Sequence, residues 1–175
     1  MKKSIVLLTA VFLVSLTTYA QGDIRFGAKT GVNFSKFGGD SAADGRTSFH
    51  IGAIAEFPIS DTFSVQPELM YSGEGSENAD ANFMRVVGVA KYYIIEGLSL
   101  EGGPQFGFRI SQDQIVDQLT KGFDFGLALG GGYEIQDLGL LFGMRYNVGI
   151  ANLSKQDNVD FSLSTFQISV GYFFN

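Results

Sequence analysis

The segment that decides the fold has the sequence Ile24-Arg25-Phe26-Gly27-Ala28-Lys29-Thr30-Gly31-Val32-Asn33-Phe34. Its large apolar residues alternate with charged or small residues, and this period of two predicts a β-strand with one apolar face. The same alternation recurs in seven later segments. It predicts strands near residues 24–34, 49–57, 63–72, 83–93, 98–109, 123–134, 138–149 and 163–174. Each is about as long as a strand that crosses a bilayer at a tilt.

The connections between these strands alternate in length. Residues 58–62, 94–97 and 135–137 have the composition of tight turns, whereas 35–48, 73–82, 110–122 and 150–162 are longer and polar. Antiparallel hairpins with one short-turn rim and one long-loop rim are typical of outer-membrane barrels, whose short turns are periplasmic. With eight strands, both termini are predicted to lie on the periplasmic side.

Charged residues are confined to one face of the predicted sheet. The face that carries Phe26, Leu100, Leu127 and Met144 contains no Asp, Glu, Lys or Arg within the predicted strands. The opposite, glycine-rich face carries eleven charges, namely Arg25, Lys29, Glu56, Glu68, Arg85, Lys91, Glu101, Arg109, Asp124, Glu134 and Arg145. The interior of an eight-stranded barrel is narrow, and a wall of Phe and Leu would overfill it. The apolar face is therefore predicted to face lipid, around a lumen of small residues and paired charges. A soluble lipocalin-like barrel, with the faces reversed, is the alternative.

Composition excludes several other classes of protein. The chain has 175 residues, which indicates a single domain by default. It has no Cys, which excludes a disulfide scaffold and a Cys-ligated metal site. Its net charge of −6 does not fit a basic nucleic-acid binder, and 14 % aromatic residues argue against disorder.

Both ends of the chain carry targeting features. Met1-Lys2-Lys3, an apolar run over residues 4–16 and the small-residue site Thr18-Tyr19-Ala20 predict a cleaved signal peptide over residues 1–20. The barrel domain would then occupy residues 21–175. The last predicted strand ends in Gly171-Tyr172-Phe173-Phe174, an aromatic end that predicts recognition by the barrel-insertion machinery.

The long connections are rich in acidic residues. They carry Asp40, Asp44, Glu74, Glu77, Asp80, Asp113, Asp117, Asp157 and Asp160. We interpret them as a solvated rim, with binding of divalent cations or of a basic partner as the alternative. None of these connections has the Asp spacing of an EF-hand.

No catalytic set, cofactor or metal site is predicted. His50 is the only histidine, and together with Ser48 or Ser60 and Glu56 it would suggest a Ser-His-acid hydrolase. Six residues along a strand separate His50 from Glu56 by about 20 Å, which is too far for contact. A histidine of the lumen or rim is therefore the preferred interpretation.

Three segments resemble a known family. Gly27-Ala-Lys-Thr-Gly-Val-Asn-Phe-Ser35, Gln66-Pro-Glu-Leu-Met-Tyr-Ser72 and Arg145-Tyr-Asn-Val-Gly-Ile-Ala-Asn152 resemble elements of the PorT-like outer-membrane β-barrel family. The resemblance covers essentially the whole mature chain and implies a small eight-stranded barrel of the bacterial outer membrane. Some members of that family serve in protein secretion, but most have no assigned activity.

The leading hypothesis is a non-enzymatic integral outer-membrane protein that acts through its extracellular loops in a structural, adhesion, secretion or assembly role. The alternatives are a small porin or solute channel and a lipid-modifying hydrolase. The predicted partners are the outer-membrane lipid, the insertion machinery and unidentified secretion or envelope proteins. No cofactor and no nucleic acid is predicted.

Overall fold

The computed structural model describes residues 23–39, 45–76, 79–110, 122–150 and 161–174. Within these ranges no helix is long and apolar enough to cross a membrane. The predicted signal peptide over residues 1–20 lies outside them, as do most residues of the predicted acidic loops. Those residues are Asp40, Asp44, Glu77, Asp113, Asp117, Asp157 and Asp160.

The described residues form eight strands in a closed antiparallel barrel. The strands are β1 (Arg25–Gly39), β2 (Arg46–Ser60), β3 (Phe63–Ser76), β4 (Ala79–Ile95), β5 (Leu98–Arg109), β6 (Phe123–Ile135), β7 (Leu140–Gly149) and β8 (Phe161–Phe173). Each strand pairs with the next, and β8 pairs with β1 to close the sheet. The predicted eight-stranded up-and-down barrel is confirmed. Closure gives every strand a partner on both sides, which a lipid environment requires.

The three short connections lie at one end of the barrel, which we call the short-turn end. In the β4–β5 turn Gly97 has a φ of 78°, and a Cβ there would lie 2.5 Å from the carbonyl oxygen of Glu134. Between β6 and β7 a short 3-10 helix, Gln136–Leu138, ends at Gly139 with a φ of 64°. Both turns use the left-handed backbone conformation that glycine adopts without steric cost.

At the opposite end, which we call the long-loop end, β1, β2, β3, β4 and β8 extend beyond their predicted limits. β3 reaches Ser76 and β4 begins at Ala79, so the prediction of a long loop over 73–82 is wrong. Only residues 77–78 separate the two strands. The polar composition of this segment predicted a loop, but Ser72 and Glu74 continue the inward-facing series of β3 and are buried.

Side chains alternate between an apolar outer surface and a mostly polar interior. On the outside, Phe26, Leu100 and Met144 are each more than half exposed. The interior was predicted to hold small residues and paired charges, and it also holds large apolar side chains. These include Ile54, Met70, Phe83, Leu141, Leu163 and Phe173.

Inward-facing glycines make room for these larger interior groups. A Cβ at Gly27 would lie 3.1 Å from the ring of Phe173 and 3.2 Å from Ile54. A Cβ at Gly107 would lie 3.1 Å from Phe83 and 2.7 Å from Arg85. Large side chains therefore lie next to glycines in the lumen. This arrangement gives Phe and Leu enough room inside a barrel of eight strands.

Candidate functional site

Strand register brings the inward-facing charges of neighbouring strands close to one another around the barrel wall. Lys91 pairs with Glu101 across β4 and β5, and Glu101 pairs with Gly130 of β6. Gly130 pairs in turn with Arg145 of β7. Ten of the eleven charges predicted for the lumen take part in ion pairs with one another or with Glu74. These pairs form three layers along the barrel axis.

The lower layer, at the short-turn end, is centred on Glu56. Its carboxylate lies 3.1 Å from Arg25 and 3.0 Å from Lys91. It also accepts hydrogen bonds from the hydroxyls of Ser64 at 2.6 Å and Tyr93 at 2.5 Å. Arg25 also pairs with Glu134 and lies 4.2 Å from the centre of the Phe173 ring. Two cations therefore balance two carboxylates in this layer.

The middle layer is centred on Glu68, which is almost completely buried. Arg145 donates to both oxygens of the Glu68 carboxylate, at 2.8 and 2.9 Å, and a further bond of 2.9 Å reaches Glu101. Lys29 lies 2.7 Å from the same Glu68 carboxylate, and Gln66 donates to it at 2.7 Å. Two cations again balance two carboxylates. The two hydrogen bonds from the Arg145 guanidinium to Glu68 fix the relative orientation of these two side chains.

The upper layer lies toward the long-loop end and includes Glu74. Arg85 donates to both Glu74 oxygens at 2.6 Å and to Asp124 at 2.8 Å. The Ser72 hydroxyl adds a hydrogen bond of 2.7 Å to Glu74. The prediction that Glu74 belongs to an exposed acidic loop is wrong, since its side chain is only 1 % exposed and occupies the lumen.

His50 lies in a buried polar relay between the middle and upper layers. Its Nδ1 lies 2.7 Å from the Asn33 Oδ1, and its Nε2 lies 3.0 Å from the Ser169 hydroxyl. Asn33 Oδ1 also accepts a bond from Gln167 at 2.8 Å. Because that oxygen can only accept, His50 donates through Nδ1, and in the neutral imidazole Nε2 then accepts from the Ser169 hydroxyl.

The hydroxyl partner of His50 is therefore Ser169, not Ser48 or Ser60. Glu56 forms ion pairs in the lower layer, and among the described residues no contact joins it to His50 as the acid of a triad. Hydrogen bonds connect Ser169, His50 and Asn33 in the order serine, histidine and orienting side chain, as in nucleophilic hydrolases. Here, however, His50 is only 1 % exposed and Ser169 only 9 % exposed. The relay holds three strands together because Asn33, His50 and Ser169 belong to β1, β2 and β8.

Little free volume is seen between the middle and upper layers in the described part of the lumen. A cavity of about 10 Å³ lies between the middle and upper layers, beside Glu68, Arg85 and Arg145. That volume accommodates about one water molecule. A wider vestibule of about 620 Å³ opens at the short-turn end and is lined at its inner limit by Arg25, Glu56 and Tyr93 of the lower layer. Across the described ranges, no group of three or more Asp, Glu and His side chains is arranged to hold a metal ion.

Two predicted site residues lie apart from the three layers. Arg109 occupies the last position of β5, has an inward-facing register and is half-buried. Asp80 was predicted to be a loop residue, but its backbone belongs to β4, where it pairs with Gly75. That placement corrects the loop assignment of Asp80.

The sequence interpretation missed the uncharged polar side chains that complete the network. Asn33, Gln66 and Gln167 each donate hydrogen bonds to partners in the lumen. All three lie on the same alternating positions as the charges, so the period of two contained the signal. Attention to charged residues alone overlooked them.

Residues 19–155 match the family described as outer membrane protein beta-barrel domain. The chain belongs to this family. As an outer-membrane β-barrel it is an integral protein of the bacterial outer membrane, and its apolar outer surface is the surface that contacts lipid. No curated protein matches the chain.

Solved structures with the same fold cover nearly all of the outer-membrane barrel. The attachment invasion locus protein Ail of Yersinia pestis is 17 % identical, with a TM-score of 0.55 over 87 % of this chain and 100 % of Ail. Neisserial surface protein A is 10 % identical, with a TM-score of 0.50 over 86 % of this chain and 97 % of that protein. A designed transmembrane β-barrel is 12 % identical, with a TM-score of 0.51 over 88 % of this chain and 98 % of the design. At these identities the similarity shows the fold alone.

Proposed function

We propose that this outer-membrane barrel is a non-enzymatic protein that works through its extracellular loops, in adhesion, envelope structure or the assembly of secretion components. The observation that carries the proposal is the filled lumen. Three charge layers and the His50 relay occupy the interior and leave a central cavity of about 10 Å³. An interior without a passage leaves the loops and the outer surface as the parts that meet partners.

The charge layers oppose the alternative of a solute channel. Glu68 is held by Arg145 and Lys29 from two other strands, and its side chain is buried. Opening a path past it would leave buried charges without their partners, which costs about 3–5 kcal/mol for each broken pair. We therefore expect the vestibule at the short-turn end, whose inner lining among the described residues includes Arg25 and Glu56, to end at the lower layer.

The His50 relay gives little support to the alternative of a lipid-modifying hydrolase. A nucleophile that acts on lipid has to reach the lipid-facing surface or the rim. Ser169 faces the lumen, and its hydroxyl donates to an imidazole that is itself buried. We therefore assign the relay a structural role.

The proposal also includes targeting and orientation. Residues 1–20 act as a signal peptide, the short-turn end and both termini face the periplasm, and the aromatic end of β8 is recognised by the insertion machinery. The resemblance of the β1, β3 and β7 segments to the PorT-like family supports a place among proteins associated with secretion. Modification of the long loops by a membrane-impermeant reagent on intact cells tests the orientation.

Planar-bilayer recording tests the closed lumen. Wild-type protein, with insertion verified by heat-dependent mobility on an unboiled gel, is expected to give no stable conductance steps. The double variant Glu68→Ala/Arg145→Ala removes the central ion pair of the middle layer and is the matched control, for which we expect brief or noisy currents. Stable ohmic steps from the wild type would overturn the proposal and establish the channel alternative.

Crosslinking of intact cells tests the role of the loops. Replacing residues 112–119 by a short Gly-Ser connection should leave the barrel inserted and remove any crosslinked partner seen with the wild type. Crosslinks that persist unchanged in variants of all the long loops would show that the loops are not the functional surface.

A further inference from the structure

A groove of about 390 Å³ lies on the lipid-facing side of the barrel near the long-loop end. Its lining includes Phe34 and Lys36 of β1, Thr47 of β2, Tyr146 of β7, and Ser164 and Phe166 of β8. The groove therefore crosses the seam where the first and last strands close the barrel. Ser35, Gly45 and Arg46 also line it, and the Arg46 guanidinium donates to the Glu74 carbonyl oxygen of the upper layer at 2.7 Å.

Strand register arranges the lining in two rows. Phe34 pairs with Thr47 on one side and with Phe166 on the other, and Phe166 pairs with Tyr146. The rings of Phe34 and Phe166 are 6.4 Å apart and form an aromatic shelf. Two residues further along β1, Lys36 pairs with Ser164 and stands above this shelf.

Lys36 carries the only charge among the outward-facing strand side chains that the structure describes. Phe26, Ala28, Thr30, Val32 and Phe34 precede it on the same face of β1. Lys36 is exposed, and no ion pair involving it is seen within the described ranges. A lysine at the edge of a lipid-facing surface is stable when its ammonium reaches the headgroup region and meets an anion there.

The opposite end of the barrel lacks this arrangement. The turns at the short-turn end carry Asp61, Glu96 and Asp137, all of them acidic and exposed. An anionic headgroup would be repelled there and attracted at the Lys36 end. Aromatic side chains of this kind are also typical of the level where the lipid headgroups begin.

We propose that the groove binds the phosphate-bearing headgroup of an outer-leaflet glycolipid. The Lys36 ammonium pairs with the phosphate, the hydroxyls of Ser164 and Thr47 meet sugar hydroxyls, and the Phe34–Phe166 shelf packs against the apolar face of a sugar ring. This inference rests on the orientation given in the proposed function, in which the long-loop end faces outward.

The test uses phosphatidylcholine nanodiscs that contain a minor fraction of one probe lipid. The probes are a bisphosphorylated diglucosamine lipid, the same lipid without phosphates, and phosphatidylglycerol. Native mass spectrometry counts the probe molecules that stay bound when the barrel is released. For the wild type we expect retention of the phosphorylated glycolipid to exceed that of the same lipid without phosphates by about two- to fivefold, as an exposed ion pair provides. Retention of the phosphorylated glycolipid should also exceed that of phosphatidylglycerol, which has a phosphate but no sugar ring to pack on the shelf.

Lys36→Gln should remove this preference, and Lys36→Arg should restore it. Lys121→Gln, which removes the same charge from outside the described ranges, is the matched control and should keep the preference. Heat-dependent gel mobility verifies that every variant is folded.

Three results would overturn the inference. They are equal retention of all probes by the wild type, equal retention of phosphatidylglycerol and phosphorylated glycolipid, and an equal loss in Lys121→Gln. Failure of the proposed orientation gives a different result, because labelling of intact cells would then place the long loops in the periplasm whatever the nanodiscs show.

Discussion

The two faces of each strand have different surroundings, lipid on the outside and the side chains of other strands in the lumen. Along β6, Leu127 and Leu129 face outward and are exposed, whereas Ala128 between them is fully buried in the lumen. The outer face tolerates many apolar side chains because lipid accepts any of them. The inner face is specific, because each buried charge needs partners that other strands deliver at the right height. The inner face of this barrel is therefore the more constrained of the two.

The largest effect is expected for Arg145→Ala in the middle layer. The substitution leaves Glu68 and Glu101 without their guanidinium partner, and we expect a loss of about 3–5 kcal/mol in the free energy of unfolding. Urea unfolding in detergent micelles, followed by gel mobility, measures it. Arg145→Lys keeps the charge and should lose less. Equal stability of Arg145→Ala and wild type would contradict the buried network.

Leu127→Arg and Ala128→Ser compare adjacent residues on the two faces. Arg at position 127 places a charge in lipid, which costs about 2–4 kcal/mol near the bilayer midplane. Insertion into liposomes should fall for Leu127→Arg and stay close to wild type for Ala128→Ser. The reverse order would mean that the two faces are exchanged.

Glu74→Gln and Glu77→Gln test the extended β3 strand. Glu74 accepts two bonds from Arg85 and one from Ser72, so removing its charge should cost about 1–3 kcal/mol. Glu77 lies outside the described ranges and was predicted to be a loop residue, so its variant should unfold like the wild type. Urea unfolding again measures the free energy of unfolding. Similar small losses at both positions would mean that Glu74 belongs to an exposed loop.

The smallest effect on function is expected for His50→Ala. Loss of the imidazole removes one donor to Asn33, which keeps its bond from Gln167, and removes the acceptor of the Ser169 hydroxyl, so stability should fall by about 1–2 kcal/mol. The membrane lipid profile of cells that express the variant should match that of cells that express the wild type. A changed profile, reproduced by Ser169→Ala, would establish the hydrolase alternative.

Most of the fold could be predicted from the alternation of apolar and polar side chains. Strand number, antiparallel order and the identity of the inward-facing charges all follow from a period of two that begins at Ile24. The position of Glu74 was missed because Gly73, Gly75 and Ser76 give the end of β3 the composition of a loop.

The ion-pair partners of the lumen charges could not be predicted from the sequence. Glu68 and Arg145 are distant in sequence, and their contact depends on the stagger between strands, which alternation does not determine. The same is true of Phe173, whose place inside depends on the absence of a side chain at Gly27. The His50–Ser169 bond likewise depends on β8 closing against β1.

The assignment of the charged face to the lumen and the apolar face to lipid is the central claim. It is tested most directly by NMR cross-relaxation between lipid acyl chains and protein methyl groups in nanodiscs. The methyl groups of Leu127, Leu129 and Ile168 should show cross-peaks to the acyl chains, whereas those of Ala128, Val89 and Ile54 should show none. Acyl-chain cross-peaks to the second set and none to the first would contradict the account.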